Sequence, residues 1–330
     1  MQKGESVISA ALGLVILFTV LGIQRRWRPS NLTALASSTE DFILNAADKQ
    51  GQAPEIKGYE RIKTYRLGRY QGGLYRVLSS PLDFAPAQFV IYDSANQSVF
   101  KLDVLESAKT PWTALYNFRG QGGITAPGSR SRPMYQRDLT GDGQSAIVIG
   151  QYSGGDHCCT TITAVALGQD SVRTLGRVEG LRGHPFEGLE FKKLDKDPDW
   201  KMVAHRKYIT ACGPSEGDPD VPAVYAYSNG AFRDQTPRHA AYLESVLHQD
   251  LGKWATEKIR SLQLLETVAL DYALLGRREE SERFLSTNLT PFLRELKAQG
   301  VDPEACVASL ESLAEGVAGS MTSGAPGGAR

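Results

Sequence analysis

Histidine and cysteine are scarce in this chain, with five and four among 330 residues. So few cysteines exclude a cysteine-dense miniature scaffold and leave room for one or two bridges. Charge of one sign is also missing. Lys plus Arg is 37 and Asp plus Glu is 37, which argues against a nucleic-acid binder, since that needs a basic face to neutralise phosphates. No Gly-x-Ser-x-Gly elbow, phosphate-binding loop or His-Glu-x-x-His occurs, so nothing in the sequence asks for catalysis. What is present suffices for ordinary globular cores. Hydrophobic residues make up 41%, and the length allows two compact domains.

The first feature is an apolar run at residues 7–23, interrupted only by Ser9 and Thr19 and bounded by Glu5 and Gln24. As a helix it spans roughly 25 Å, just short of a hydrocarbon core. Residues 1–24 are therefore expected to be a signal anchor or a signal peptide, and this run is the expected membrane contact. Val20, Leu21 and Gly22 make a poor cleavage site, which favours the anchor. Arg25, Arg26 and Arg28 outweigh Lys3, and the positive-inside rule alone would keep the body in the cytoplasm. The cysteines described below point the other way, and large domains translocate despite such a bias. The expected location is membrane-anchored with an extracytoplasmic body.

Residues 25–54 read as a linker with a short helix over 38–47. From Tyr59 the texture is that of strands. Residues 89–92 and 98–105 form an expected hairpin about the turn at Asp93 to Asn96, with Phe100, Leu102 and Val104 on one apolar face. Residues 146–152 and 160–167 are further strands. Ser228-Asn229-Gly230 marks another hairpin within 221–232. After Pro237 the period becomes helical, with helices expected over 240–249, 254–275, 279–299 and 303–317. Gly276 and Gly300 stand where helix ends favour a left-handed residue. Around Gly276, residues 270–281 look like the middle of one tetratricopeptide unit or a generic helix hairpin. The expected fold is α+β: a β-rich domain over 55–237, built as a sandwich or as partial propeller-like sheets, then an α-helical domain over 238–318 and a disordered tail over 319–330.

The loop from Asp138 to Ala146 carries the most chemical information. A hard cation needs several oxygen ligands at once, and a tight loop supplies them from alternate positions with a Gly at the sharp turn. Asp138, Thr140 and Asp142 occupy the first, third and fifth positions, Gly143 the sixth and Gln144 the seventh. The alternative is a structural turn in which Asp138 and Asp142 bond backbone amides.

Residues 138–149 resemble the Asp-x-Asp-Gly-Asp-Gly loop of FG-GAP or VCBS-type repeats, known from β-propeller and adhesion-type extracellular proteins. The resemblance implies a Ca²⁺ site followed by a strand. Thr140 replaces a family Asp, and Ala146 stands where a further carboxylate coordinates. One copy of the loop is present, whereas a propeller repeats it at a fixed period. The continuation Tyr152-Ser153-Gly154-Gly155-Asp156-His157-Cys158-Cys159 is similar to a signature of exported bacterial proteins of unassigned function.

Cys158 and Cys159 follow a Gly-rich turn, and Cys212 lies at another strand exit. Successive strand residues face opposite ways, so one of Cys158 and Cys159 is expected to bridge Cys212. The loop closed would hold about 53 residues and contribute roughly 4 kcal/mol. A vicinal bridge, a zinc site with His157, a Cys-His nucleophile and unpaired thiols are the alternatives. Cys306, on a helix, reads as a lone core thiol. Asp195, Asp197 and Asp199 suggest a solvated turn, residues 186–191 a short strand with solvent-facing acids, and His184, His205, His239 and His248 show no ligand spacing. The function expected is an envelope binding or structural module with a protein or surface-polymer partner. A hydrolase with its site near His157 and Asp156 is the alternative.

Overall fold

The computed structural model describes residues 53–78, 84–107, 112–119, 133–153, 160–184, 186–195, 199–213, 218–257 and 261–323. The apolar run at 7–23, the helix expected at 38–47, and Asp156, His157, Cys158, Cys159 and Asp197 lie outside them.

Strands β1 (Tyr59–Leu67), β2 (Tyr70–Val77), β3 (Phe84–Tyr92) and β4 (Ser98–Ser107) form a four-stranded antiparallel sheet in chain order. The second sheet contains β5 (Thr113–Leu115), β6 (Ser145–Tyr152), β7 (Thr160–Leu167), β8 (Val172–Leu181), β10 (Lys201–Lys207), β11 (Asp220–Ser228) and β12 (Ala231–Asp234), in the order β12-β11-β10-β8-β7-β6-β5. A short β9 (Glu190–Lys192) pairs with β10 beside that path. Five helices follow: α1 (Ala240–Thr256), α2 (Leu262–Leu274), α3 (Arg278–Asn288), α4 (Thr290–Ala298) and α5 (Pro303–Ser323). No described helix is long and apolar enough to cross a membrane.

Burial follows the sequence pattern closely. β7 reads Thr-Thr-Ile-Thr-Ala-Val-Ala-Leu and is buried at every position. An uninterrupted run of this kind suits a central strand covered on both faces. Its neighbour β6 divides its side chains in the same way: Ile147 and Ile149 face the four-stranded sheet, packing with Tyr65, Leu67, Phe89 and Ile91. Ala146 and Val148 face a second core with Leu175, Met202, Tyr225 and Phe232. One sheet wall thus serves two cores. On β4, Val104, Phe100 and Leu102 pack into the inter-sheet core as their alternation requires, while Lys101 and Asp103 point to solvent. Charges on an edge strand discourage pairing with another chain.

The second sheet is strongly bent. Register shifts between β7 and β8 fall at Thr160/Ile162 and Ala164/Val165, and such bulges increase local twist. β8 then meets β10 only at Leu181 and Arg206, while Gly176 lies against the backbone of Phe232 on β12. The outer side of β10 and β11 receives the helices, where Val221 packs with Leu243, Leu270, Ala273 and Ala314. The outer side of the four-stranded sheet is strapped by the incoming chain. Ala53 and Ile56 cover Tyr75, Val90 and Tyr92, and the Tyr75 hydroxyl donates to the Pro54 carbonyl at 2.6 Å.

The helix boundaries differ from the expected ones for local reasons. The first break falls after Thr256 and not near Gly252, and α2 starts at the N-cap Ser261, whose side chain accepts from Leu264 N. The expected helix over 279–299 is two helices, since Pro291 can occupy only a first turn and α4 begins there. Helix α5 continues to Ser323, so 319–323 is helical and not part of a disordered tail. Gly276 and Gly300 adopt φ of 71° and 80° as expected. The strand expected at 186–191 is a turn followed by β9.

Candidate functional site

The Asp138 loop enters β6 directly. Asp138 Oδ1 accepts from the N–H groups of Thr140 at 3.1 Å and Gly141 at 2.8 Å, and Oδ2 accepts from Gly143 N at 3.0 Å. Asp142 Oδ1 accepts from the Thr140 hydroxyl at 2.6 Å and from Gln144 N at 2.9 Å. Those two bonds, with Arg173 at 3.8 Å, hold the Asp142 carboxyl below its ordinary range. Gly141 and Gly143 take φ of 75° and 80°, which side-chain-bearing residues adopt only with strain. Both Asp138 oxygens and Asp142 Oδ1 are therefore engaged in closing the turn, while Asp142 Oδ2 faces Arg173 at 3.8 Å. Gln144 is exposed, and its side-chain oxygen stands beside Gly168.

The opposite end of β6 carries a different chemistry. An eight-residue strand is roughly 26 Å long, so the acidic turn is far from the end of β6 at Tyr152. At this far end Glu106 is 1% exposed. Its carboxylate accepts from the N–H groups of Ser107 at 3.0 Å, Trp112 at 2.7 Å and Thr113 at 3.1 Å. Burial raises its proton affinity, and the three N–H groups oppose the rise without cancelling it. A buried acid is thus spent on fixing Trp112. From Trp112 a row of rings runs across the end of the molecule. Phe84 stacks on Trp112 with centroids 5.7 Å apart, Tyr152 meets Trp112 edge-on at 5.6 Å, and His184 stacks on Tyr152 at 5.0 Å. Phe84 is 47% exposed and His184 is exposed. Partial burial lowers the proton affinity of His184.

Beside this row stands a small ionic group. Asp220 pairs with Arg182 and lies 3.5 Å from His205 Nδ1. Burial raises the proton affinity of Asp220, but His205 and Arg182 outweigh it and hold its carboxyl low. The four histidines without ligand spacing thus have separate settings. His239 is buried and bonds Asp195 at 2.8 Å, and His248 lies on the exposed face of α1, where its Nδ1 meets the Glu244 carbonyl. Asp199 approaches Gly141 of the acidic turn.

Cys212 leaves β10 at the same end, but it does not pair with Cys158 or Cys159. It is disulfide-bonded to Cys306, 94 residues away on α5, with an S–S distance of 2.09 Å. Cys212 finds its partner on a helix and not on a strand because the β10–β11 connection lies against the helices. Ala211 N donates to Ser309 Oγ of α5 at 3.1 Å, Gln263 of α2 donates to the Asp218 carbonyl at 3.2 Å, and Thr267 Oγ1 accepts from Asp220 N at 3.5 Å. Cys306 is accordingly no lone thiol. The sulfurs and a Glu266 oxygen lie within 4.8 Å of one another, but sulfurs bonded to each other offer no thiolates to a metal. Glu266, Asp218, Asp250 and Asp271 are all buried and escaped the sequence reading. For Glu266, Asp250 and Asp271 the only signal was an acid at a core-facing helical position, and Asp218 lies in the β10–β11 connection.

Compared with protein-family models, with curated proteins and with solved structures, the chain matches none.

Proposed function

We propose that the chain is a membrane-anchored or exported binding and structural module of the cell envelope, with an extracytoplasmic body and no catalytic role. The observation that carries this reading is the buried Cys212–Cys306 bridge, because disulfides persist in oxidising compartments and are rare in the cytosol. The apolar run at 7–23 supplies the anchor. The binding face is the end of the bent sheet, where Glu106 fixes Trp112 and the rings of Phe84, Trp112, Tyr152 and His184 lie in a row. Aromatic faces with polar tips suit a partner that is apolar on one side and hydrogen-bonding on the other, and a surface polysaccharide has that character. The Asp138 loop serves as a fold element feeding β6. The sandwich description fits the two packed sheets better than a partial propeller, since each strand pairing continues one of two sheets.

Non-reducing mass spectrometry of protein taken from its native membrane, combined with external protease treatment of whole cells, tests the reading. A linked Cys212–Cys306 peptide and a digested body are expected. Reduced sulfurs in a body shielded from protease would overturn it. The hydrolase alternative, expected near His157 and Asp156, draws on one observation among the described residues, the His205–Asp220 pair. Ester or peptide turnover lost in His205→Ala would replace the present reading with that one.

A further inference from the structure

Helix α2 is gripped on two sides by the same arrangement. On one side Glu266, 1% exposed, meets the β10–β11 connection. Its Oε1 accepts from the Thr210 hydroxyl at 3.3 Å. The Thr210 N–H donates to Asp218 at 3.2 Å, and Asp218 lies 3.6 Å from Lys207. On the other side Asp271, 2% exposed, has Asp250 of α1 as an interacting neighbour, and Asp250 is paired with Lys253. In each case one carboxyl has a lysine and the carboxyl on α2 has none. No donor reaches Asp271 Oδ2. An ionised carboxylate in such a place would be buried, without a cation of its own and beside a second carboxylate. Burial of that kind is costly enough that the group keeps its proton instead. A proton on Asp271 also turns an acceptor without a partner into a donor toward Asp250.

We propose that α2 is a proton-operated latch: the Glu266–Asp218 and Asp271–Asp250 pairs fasten it to the β-part and to α1 while each holds a proton, and loosen it when alkali removes them. The groups facing these points from the packed elements are Lys207 at the end of β10, Asp218 in the β10–β11 connection, and Asp250, Lys253 and Tyr242 on α1. The third helix contributes the neutral Ser281, bonded to the Ala269 carbonyl at 2.7 Å, and α5 contributes the bridged Cys306. None of them supplies Glu266 or Asp271 with a cation of its own.

Burial first, opposed by the Thr210 hydroxyl and reinforced by Asp218, pushes Glu266 up to about 8. Burial first, then Asp250, moves Asp271 in the same direction. The unfolded chain releases these protons in the ordinary carboxylate range, near 4.5 for Glu. The folded chain therefore holds more protons than the unfolded chain between that value and the raised one. The stabilisation is complete below the ordinary range and is lost as pH rises through the raised value. Each retained proton changes the folding equilibrium by about tenfold per pH unit inside that window.

The test is chemical unfolding of the disulfide-intact chain from about pH 5 to about pH 9, beside Glu266→Gln and Asp271→Asn. The wild-type midpoint should fall toward alkali, with hydrogen exchange in α2 rising in parallel, and each substitution should flatten the slope. Parallel profiles for wild type and variants would overturn the latch. Should the variants not fold, the infrared carbonyl band of protonated carboxyl in the wild type at neutral pH decides. Its presence supports the latch and its absence removes it. Neither result bears on the compartment of the body, which the bridged peptide reports.

Discussion

At the scale of single residues the Asp138 carboxylate is the most committed group in its loop, since it accepts from three backbone N–H groups. Asp138→Ala should lower the unfolding free energy by about 1–2 kcal/mol, because three bonds to a charged acceptor are lost while the exposed amides of Gly141 and Gly143 regain water. A chelator added to the wild type should leave the melting temperature unchanged, and a chelator-dependent fall would restore a cation to the loop. The turn was legible in the sequence because Asx and Gly chemistry is local: Asp138, Gly141 and Gly143 act within five residues of one another. The partner of Cys212 was not legible, since it lies 94 positions away and no periodicity reports such a distance. Glu266 and Asp271 were hidden for a related reason. An acid inside a helical pattern looks the same whether it faces water or a second acid.

Among secondary-structure elements, the strands that could be read beforehand were those with an uninterrupted or alternating apolar pattern. β6 and β7 begin and end within a residue of expectation, and the β11–β12 turn falls at Asn229 and Gly230, with φ of 50° and 84°. β2 contains Gly72 and Gly73, and β8 carries Arg173, Arg177, Gly176 and Glu179. Such composition weakens the strand signal, and these elements gain their order from tertiary contacts. Gly176 shows the dependence directly, since a methyl there would meet Phe232 N at 2.8 Å and its Cβ at 3.0 Å. Backbone on that side cannot yield as a flexible side chain does. Gly176→Ala should cost about 1–3 kcal/mol by overpacking. Gly143→Ala has open space but a φ of 80°, and should cost about 1–2 kcal/mol from backbone strain alone. Denaturant midpoints for the two variants separate a packing penalty from a conformational one.

For the molecule as a whole, the change of texture near Pro237 marked a real change of architecture, but strands and helices belong to one compact unit from Gln52 onward. The bridge explains part of this unity. It closes a loop of 94 residues, and a closure of that length contributes about 4–5 kcal/mol in the chain-entropy view. Cys306→Ser should lower stability by roughly that amount and split a single unfolding transition into two, the helices opening first. Calorimetry with and without a reductant measures both effects, and an unchanged single transition would show that packing alone unites the two parts. The strap at the other border of the body has a practical side for anyone preparing shortened forms. Tyr75, Val90 and Tyr92 are roofed by Ala53 and Ile56, so a version begun at Tyr59 bares these three side chains on the sheet and invites self-association, whereas one begun upstream of Ala53 retains its roof.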